Sequence, residues 1–172
     1  MVSWLSSKEA SLVVRVGWIG LVVGVSLMAC ASDPLPESLD GYATRDSCVV
    51  LNLEPIPPDS HVPHPGYKTV YACHDEPEIF FEDDQWVGTP YPDGTMIIKE
   101  SCMDGGCGEV EDDFVFLVAT AEKVSGVWQW HEYTRNFEHE ELLEVPFSES
   151  SCISCHEDVA AADYMFTGYQ AR

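Results

Sequence analysis

Positive charge is scarce in this chain. Its 172 residues carry 8 Lys and Arg against 30 Asp and Glu, a formal net charge of −22. Gripping nucleic-acid phosphates takes several Lys or Arg, so nucleic-acid binding is excluded, and anionic lipid would repel such a surface. Long apolar runs are also missing. Residues 16–29 form the longest, at fourteen, short of the ~20 that a membrane-spanning helix needs. There is no internal repeat and no long amphipathic helical segment, which argues against a helical bundle. A second Cys-x-x-Cys pair is lacking as well. Beyond Cys152 and Cys155, the nearest pair is Cys102 and Cys107, with four residues between. That spacing does not complete a zinc ribbon, and the strand–helix pattern around a thioredoxin-like motif is absent.

What is present begins with a leader. Lys8 and Arg15 precede the apolar run, which ends in Leu27-Met28-Ala29-Cys30. This arrangement resembles a bacterial lipobox, so residues 1–29 are expected to be a signal peptide, with lipid carried on Cys30. The following Ala31 and Ser32 resemble outer-membrane sorting, which predicts an exported, periplasmic-side protein anchored in the outer membrane. Residues 30–45, with Pro34 and Pro36, read as a tether, and residues 46–172 as one domain. The 143 residues from Cys30 onward keep six basic and 29 acidic side chains, so anchoring falls to the lipid.

The most informative stretch is Cys152-Ile153-Ser154-Cys155-His156. In this order the two thiols add across the vinyl groups of a porphyrin, and the adjacent imidazole reaches the iron as an axial ligand. The expectation is one covalent c-type haem, with Cys152, Cys155 and His156 as its ligands. Cys48, Cys73, Cys102 and Cys107 remain, an even number in an oxidising compartment, and two disulfides follow. Three connectivities are open, and proximity favours Cys48–Cys73 with Cys102–Cys107. An acidic surface could also steer a positively charged redox partner.

The rest of the chain reads as short strands at 69–72, 95–102, 113–120 and 127–133, the last alternating Trp128 and Trp130 against Gln129 and His131. Tyr91-Pro92-Asp93-Gly94 is a turn. Residues 51–65 are proline-rich and read as an irregular loop, in which His61 and His64 are surface histidines. Helical turns are predicted over 77–86 and 157–165, and a loop or short helix over 137–143. Lys99 is unusual in following Met96-Ile97-Ile98, one of few cations set among apolar neighbours.

These residues, taken in order, resemble the cytochrome P-460 family. The resemblance rests on Thr69-Val70-Tyr71, on residues 91–100 with Asp93-Gly94-Thr95 and Lys99-Glu100, on Trp128-Gln129-Trp130, on the Cys152–His156 motif and on Asp163-Tyr164-Met165-Phe166-Thr167. It implies an α+β fold, mainly antiparallel β sheet with short helices around one covalently bound haem. It further implies oxidation of hydroxylamine, with nitric oxide as a related ligand, at an iron whose sixth position is open. Lys99 falls where the family cross-links a lysine to the porphyrin edge. Trp130 would pack in the core or against the haem, and Asp163, Tyr164 and Phe166 would brace the motif from behind. For the distal base, Glu144 and Glu149 are the candidates, being acidic and close before Cys152. The implied partners are a small nitrogenous substrate and an electron acceptor such as a basic cytochrome; a homodimer is compatible. The competing expectations are a non-catalytic nitric oxide-binding protein of the cytochrome c′-beta type, and an electron carrier with Met103 or Met165 as sixth ligand.

Overall fold

The computed structural model describes residues 35–42, 45–59, 64–103, 105 and 114–171. Cys30, His61 and Cys107 therefore lie outside the described residues. Six antiparallel strands form one sheet in the order β1-β2-β5-β6-β7-β8. They are β1 (Cys48–Val50), β2 (Tyr67–Cys73), β5 (Met96–Cys102), β6 (Val115–Val124), β7 (Val127–Thr134) and β8 (Leu143–Glu144). A separate hairpin pairs β3 (Phe81–Glu82) with β4 (Gln85–Trp86). The sole α-helix among the described residues, α1 (Glu149–His156), runs directly into a 3-10 helix, Glu157–Ala162. The coarse expectation of a mainly antiparallel β protein with short helices holds.

Register places residues in rows across the sheet, and each row points to one face. Ala72, Ile97, Ala121 and Trp130 make one row; Val70, Lys99, Ala119 and Glu132 the next; Lys68, Ser101, Leu117 and Thr134 a third. On this face Val70, Ala72, Ile97, Ala121, Trp128 and Trp130 form a core cluster, onto which Cys152 and Ile153 of α1 pack. The opposite face buries Ile98, Val118, Met96 and Tyr133 in a second cluster.

The tether expectation fails for residues 35–42. Glu37–Tyr42 is a 3-10 helix, and Leu35 and Leu39 are buried in the second cluster. The physical reason is that the second face of the sheet is as apolar as the first and needs a cover. Ser38 Oγ also lies 3.0 Å from the Tyr133 hydroxyl. A second difference concerns 77–86, which is helical only over Pro77–Phe80 before the β3–β4 hairpin. Asp83 and Asp84 both have positive φ (48° and 62°), the backbone of a tight two-residue hairpin turn that Asp tolerates.

The proline-rich loop keeps a defined path along the outer edge of β2. Leu51 N–H donates to the Val70 carbonyl, Val70 N–H donates to Asn52 Oδ1, and Ile56 pairs with Lys68 in an isolated bridge. At its base, Cys48 and Cys73 are cross-strand partners and form a disulfide, as expected. Cys102 is also disulfide-bonded. The Cys48–Cys73 bridge closes a segment of 25 residues, and the chain-entropy relation gives about 3–4 kcal/mol for a loop of that size. The double variant Cys48→Ala/Cys73→Ala should lose that much stability in urea unfolding monitored by tryptophan fluorescence.

Candidate functional site

α1 collects the motif on one side. Cys152, Cys155 and His156 stand at i, i+3 and i+4, neighbours on a helix surface. Among the described residues, Cys152 and Cys155 are the free cysteines. They open, with His156, onto a cavity of about 1000 Å³ bounded by the sheet on one side and the proline-rich loop on another. A narrower recess continues from it toward Ala119, Ala121 and Trp130. The volume lies at the upper end of the ~300–1,000 Å³ usual for ligand and cofactor sites. The alanines matter here: small side chains on β6 leave the sheet floor open where a Leu or Val would fill it.

His156 is held by the residues that follow it. Its Nδ1 lies 2.5 Å from the Tyr164 carbonyl oxygen. A carbonyl only accepts, so Nδ1 carries the proton and Nε2 keeps the free lone pair of the neutral ring. Burial lowers the pKa of His156, which the Tyr164 carbonyl partly offsets. The ring packs beside Trp130 (4.4 Å between centroids) and edge-on to Phe166 (5.0 Å). Orienting the Tyr164 carbonyl requires an unusual backbone. Asp163 and Tyr164 both have positive φ, 54° and 67°, which for a bulky Tyr is a genuine outlier.

Asp163 holds that turn in place. Its Oδ2 accepts from Lys123 Nζ (2.7 Å) and from Tyr91 N–H (2.8 Å), and its Oδ1 accepts from the Trp128 indole N–H (3.3 Å). The expectation that this segment braces the motif from behind is thus given a mechanism, with the Tyr164 backbone as the acceptor for His156.

Across the cavity, Lys99 projects from β5. Its pKa is pushed down to about 8, first by burial and then by the Lys68 charge, with Glu132, Cys152 and Cys155 opposing. Glu132, on β7, occupies the same row two strands away, with Ala119 between. At the usual strand spacing the two backbones are about 10 Å apart. Glu132 Oε2 stands 3.2 Å from His64 Nδ1 of the proline-rich loop. Contact with His64, and then the Lys99 charge, hold the Glu132 carboxyl below the usual range despite burial. Burial and the Glu132 charge push the Cys152 thiol up.

Several expectations change. Glu144 and Glu149 do not line the cavity. Glu144 sits on the short edge strand, 58% exposed, 2.7 Å from His131, and Glu149 is exposed in the first turn of α1. Proximity to Cys152 along the chain does not translate into proximity to its face. Three carboxylates do line it, Asp59, Glu132 and Asp158, and of these Glu132 is the one on the sheet. Its signal is the alternation of β7, since Trp128, Trp130 and Glu132 share one face. His64, expected at the surface, has a side chain only 15% exposed and lines the cavity. Met103 is 60% exposed and lies outside the cavity lining, while Met165 is buried, lines the inner recess and follows Tyr164, whose carbonyl holds His156.

No protein-family model matches the chain, and no curated protein matches it. These residues and their arrangement therefore carry the functional assignment.

Two outcomes follow from the geometry. Asp163→Ala strands Lys123 and releases the turn. It should destabilise the protein by about 2–4 kcal/mol in chemical denaturation, the range for removing one partner of a largely buried charged pair. In the chain with no bound group, Lys99 should be acylated by an amine-selective reagent with a midpoint near pH 8, against the ordinary lysine value of 10.5. The direction follows from burial, which favours the neutral, nucleophilic amine. Peptide mapping across a pH series measures it.

Proposed function

We propose that this chain is an exported mono-haem c-type protein of the cytochrome P-460 kind that oxidises hydroxylamine. The observation that carries the reading is the pairing of two faces across one cavity. His156, with its Nδ1 proton held by Tyr164, lies on one side with two free thiols, while Lys99, Glu132 and His64 lie on the other.

The residues fit a covalent haem. Cys152 and Cys155 would bind the macrocycle through thioethers, and His156 Nε2 would ligate the iron. The Trp130 indole N–H is buried in the recess with no acceptor among the described residues, a donor that suits a bound group. When bound, the haem supplies an iron site that takes the nitrogen of hydroxylamine and passes its electrons to an external acceptor. Lys99 lines the same cavity, and with its pKa pushed down to about 8 it would be the amine available to join the porphyrin edge. Such a bond replaces one N–H and one C–H by C–N, so it requires a two-electron oxidant of the peroxide class.

The protein's own part in turnover is proton handling. Hydroxylamine gives up protons together with its electrons, and they need an acceptor inside a site walled by apolar side chains. Glu132, anionic at neutral pH, is that acceptor. His64 stands beside it on the loop and carries protons onward to solvent. Met103 is outside the cavity lining, and Met165, which lines the recess, follows directly on Tyr164, whose carbonyl holds His156; both count against a methionine opposite His156 and favour the open-site reading over the electron carrier.

Purified haem-loaded protein tests the proposal. Its ferrous Soret band should be strongly red-shifted, and peptide mass mapping should recover Lys99 attached to the haem peptide. Glu132→Gln should keep that spectrum while hydroxylamine turnover with an artificial oxidant falls about 10²–10⁴-fold, the usual contribution of one acid–base group. An ordinary six-coordinate c-type spectrum with Lys99 unmodified would overturn the enzyme assignment. A cross-linked protein that binds nitric oxide without turning over hydroxylamine would leave it a gas binder.

A further inference from the structure

Lys68 is a buried cation without a counter-charge in contact. The residue is 3% exposed. Its Nζ donates to the Gly66 carbonyl (2.9 Å) and, more loosely, to the Pro57 carbonyl (3.4 Å). An ammonium has three N–H donors, so one has no partner among the described residues. No carboxylate among them lies within ion-pair distance. A buried charge normally has a partner, because desolvation penalises it heavily otherwise. Lys68 nonetheless lines the large cavity, together with Cys155, Lys99 and Asp158.

The position within the sheet adds direction. Lys68 stands one row beyond Lys99, which itself stands one row beyond Trp130, the residue against the His156 ring. Opposite Lys68 in register is Ser101, whose hydroxyl is buried and has no hydrogen-bond partner among the described residues. Ser101 is enclosed and lines neither the cavity nor its recess, so on this row Lys68 is the donor that faces the cavity, at the end away from His156.

We infer that Lys68 is an anion subsite that binds a carboxylate arm of the group held at Cys152, Cys155 and His156. This rests on the haem reading above, in which the carboxylate is a propionate. The charged and titratable groups around Lys68 are Asp59 and His64 of the loop, Lys99 of β5, Glu132 of β7 and Asp158 after α1. Burial lowers the Lys68 pKa, and Asp59 opposes that through space without reaching ion-pair contact with it.

A cation paired to a propionate stabilises the ferrous state, because reduction adds negative charge to the cofactor. In haem-loaded protein, Lys68→Met should therefore lower the reduction potential. It should also move the acidic inflection of the potential–pH curve to higher pH, since the carboxylate loses the charge that favours its ionised form. Lys68→Arg should stay close to the parent protein in both, and Asp59→Asn should change neither in the manner of Lys68→Met. A loop staple with no contact to the cofactor would leave both readouts where they were. The overturning result is an unchanged potential and inflection in Lys68→Met with haem fully attached. Mass analysis of each variant comes first. If the parent protein carries no haem at Cys152 and Cys155, the haem reading falls and this subsite falls with it. If haem is attached and only the Lys68 shifts are missing, the subsite alone is wrong.

Discussion

The charge on Asp163 is the constraint from which the rest of the site hangs. A carboxylate this enclosed is tolerable only with its oxygens occupied, and three separate parts of the chain occupy them: Lys123 at the end of β6, the Tyr91 backbone, and the Trp128 indole of β7. Meeting all three at once leaves the following residue little freedom. Tyr164 is driven into a left-handed conformation that a tyrosine would otherwise avoid, and its carbonyl comes to face His156. The tautomer of the imidazole is thus decided by an ion pair on the far side of a turn. Rigidity reaches the reactive residue from the sheet, because α1 has little of its own.

The sheet contributes by subtraction as much as by support. Rows in register across β2, β5, β6 and β7 bring Lys99 and Glu132 to one face, with Ala119 between them. A larger residue at 119 would bridge that gap and close the recess. The opposite face, by contrast, is packed with Ile98, Val118 and Tyr133 and capped by Leu35 and Leu39. One sheet therefore has a solid side and a hollow side, and the hollow side is where polar residues gather.

Much of this architecture is legible in the order of the amino acids. The strands around 69–72, 95–102 and 127–133 and the distinctiveness of Lys99 follow from alternation and from a cation among apolar neighbours, while parity leaves three disulfide connectivities open and only proximity favours Cys48 with Cys73. Other parts are hidden for physical reasons. The acceptor for His156 is a backbone carbonyl, and carbonyls have no residue identity to notice. Glu132 is obscured by the abundance of acidic residues, although continuing the alternation past Trp130 points to it. His64 meets Glu132 only because a proline-rich loop crosses back along β2, a long-range consequence that local spacing does not contain. Glu144 and Glu149 are close to Cys152 along the chain, yet a short edge strand and a helix start turn both toward solvent. The 35–42 segment resembles a linker because its proline and acids mask the two leucines that dock it.

The helix that carries the motif buries no residue of its own. Segments with so small a private core open at a fraction of the free energy of global unfolding. The sheet is different, since its antiparallel neighbours are mostly close in sequence and a covalent bridge ties β1 to β2. Local opening of α1 with the sheet still folded would bare the Cys152 and Cys155 thiols together, so their accessibility follows the stability of one short helix rather than that of the whole fold. How little α1 buries thus decides how often the two thiols meet solvent, as well as where they sit.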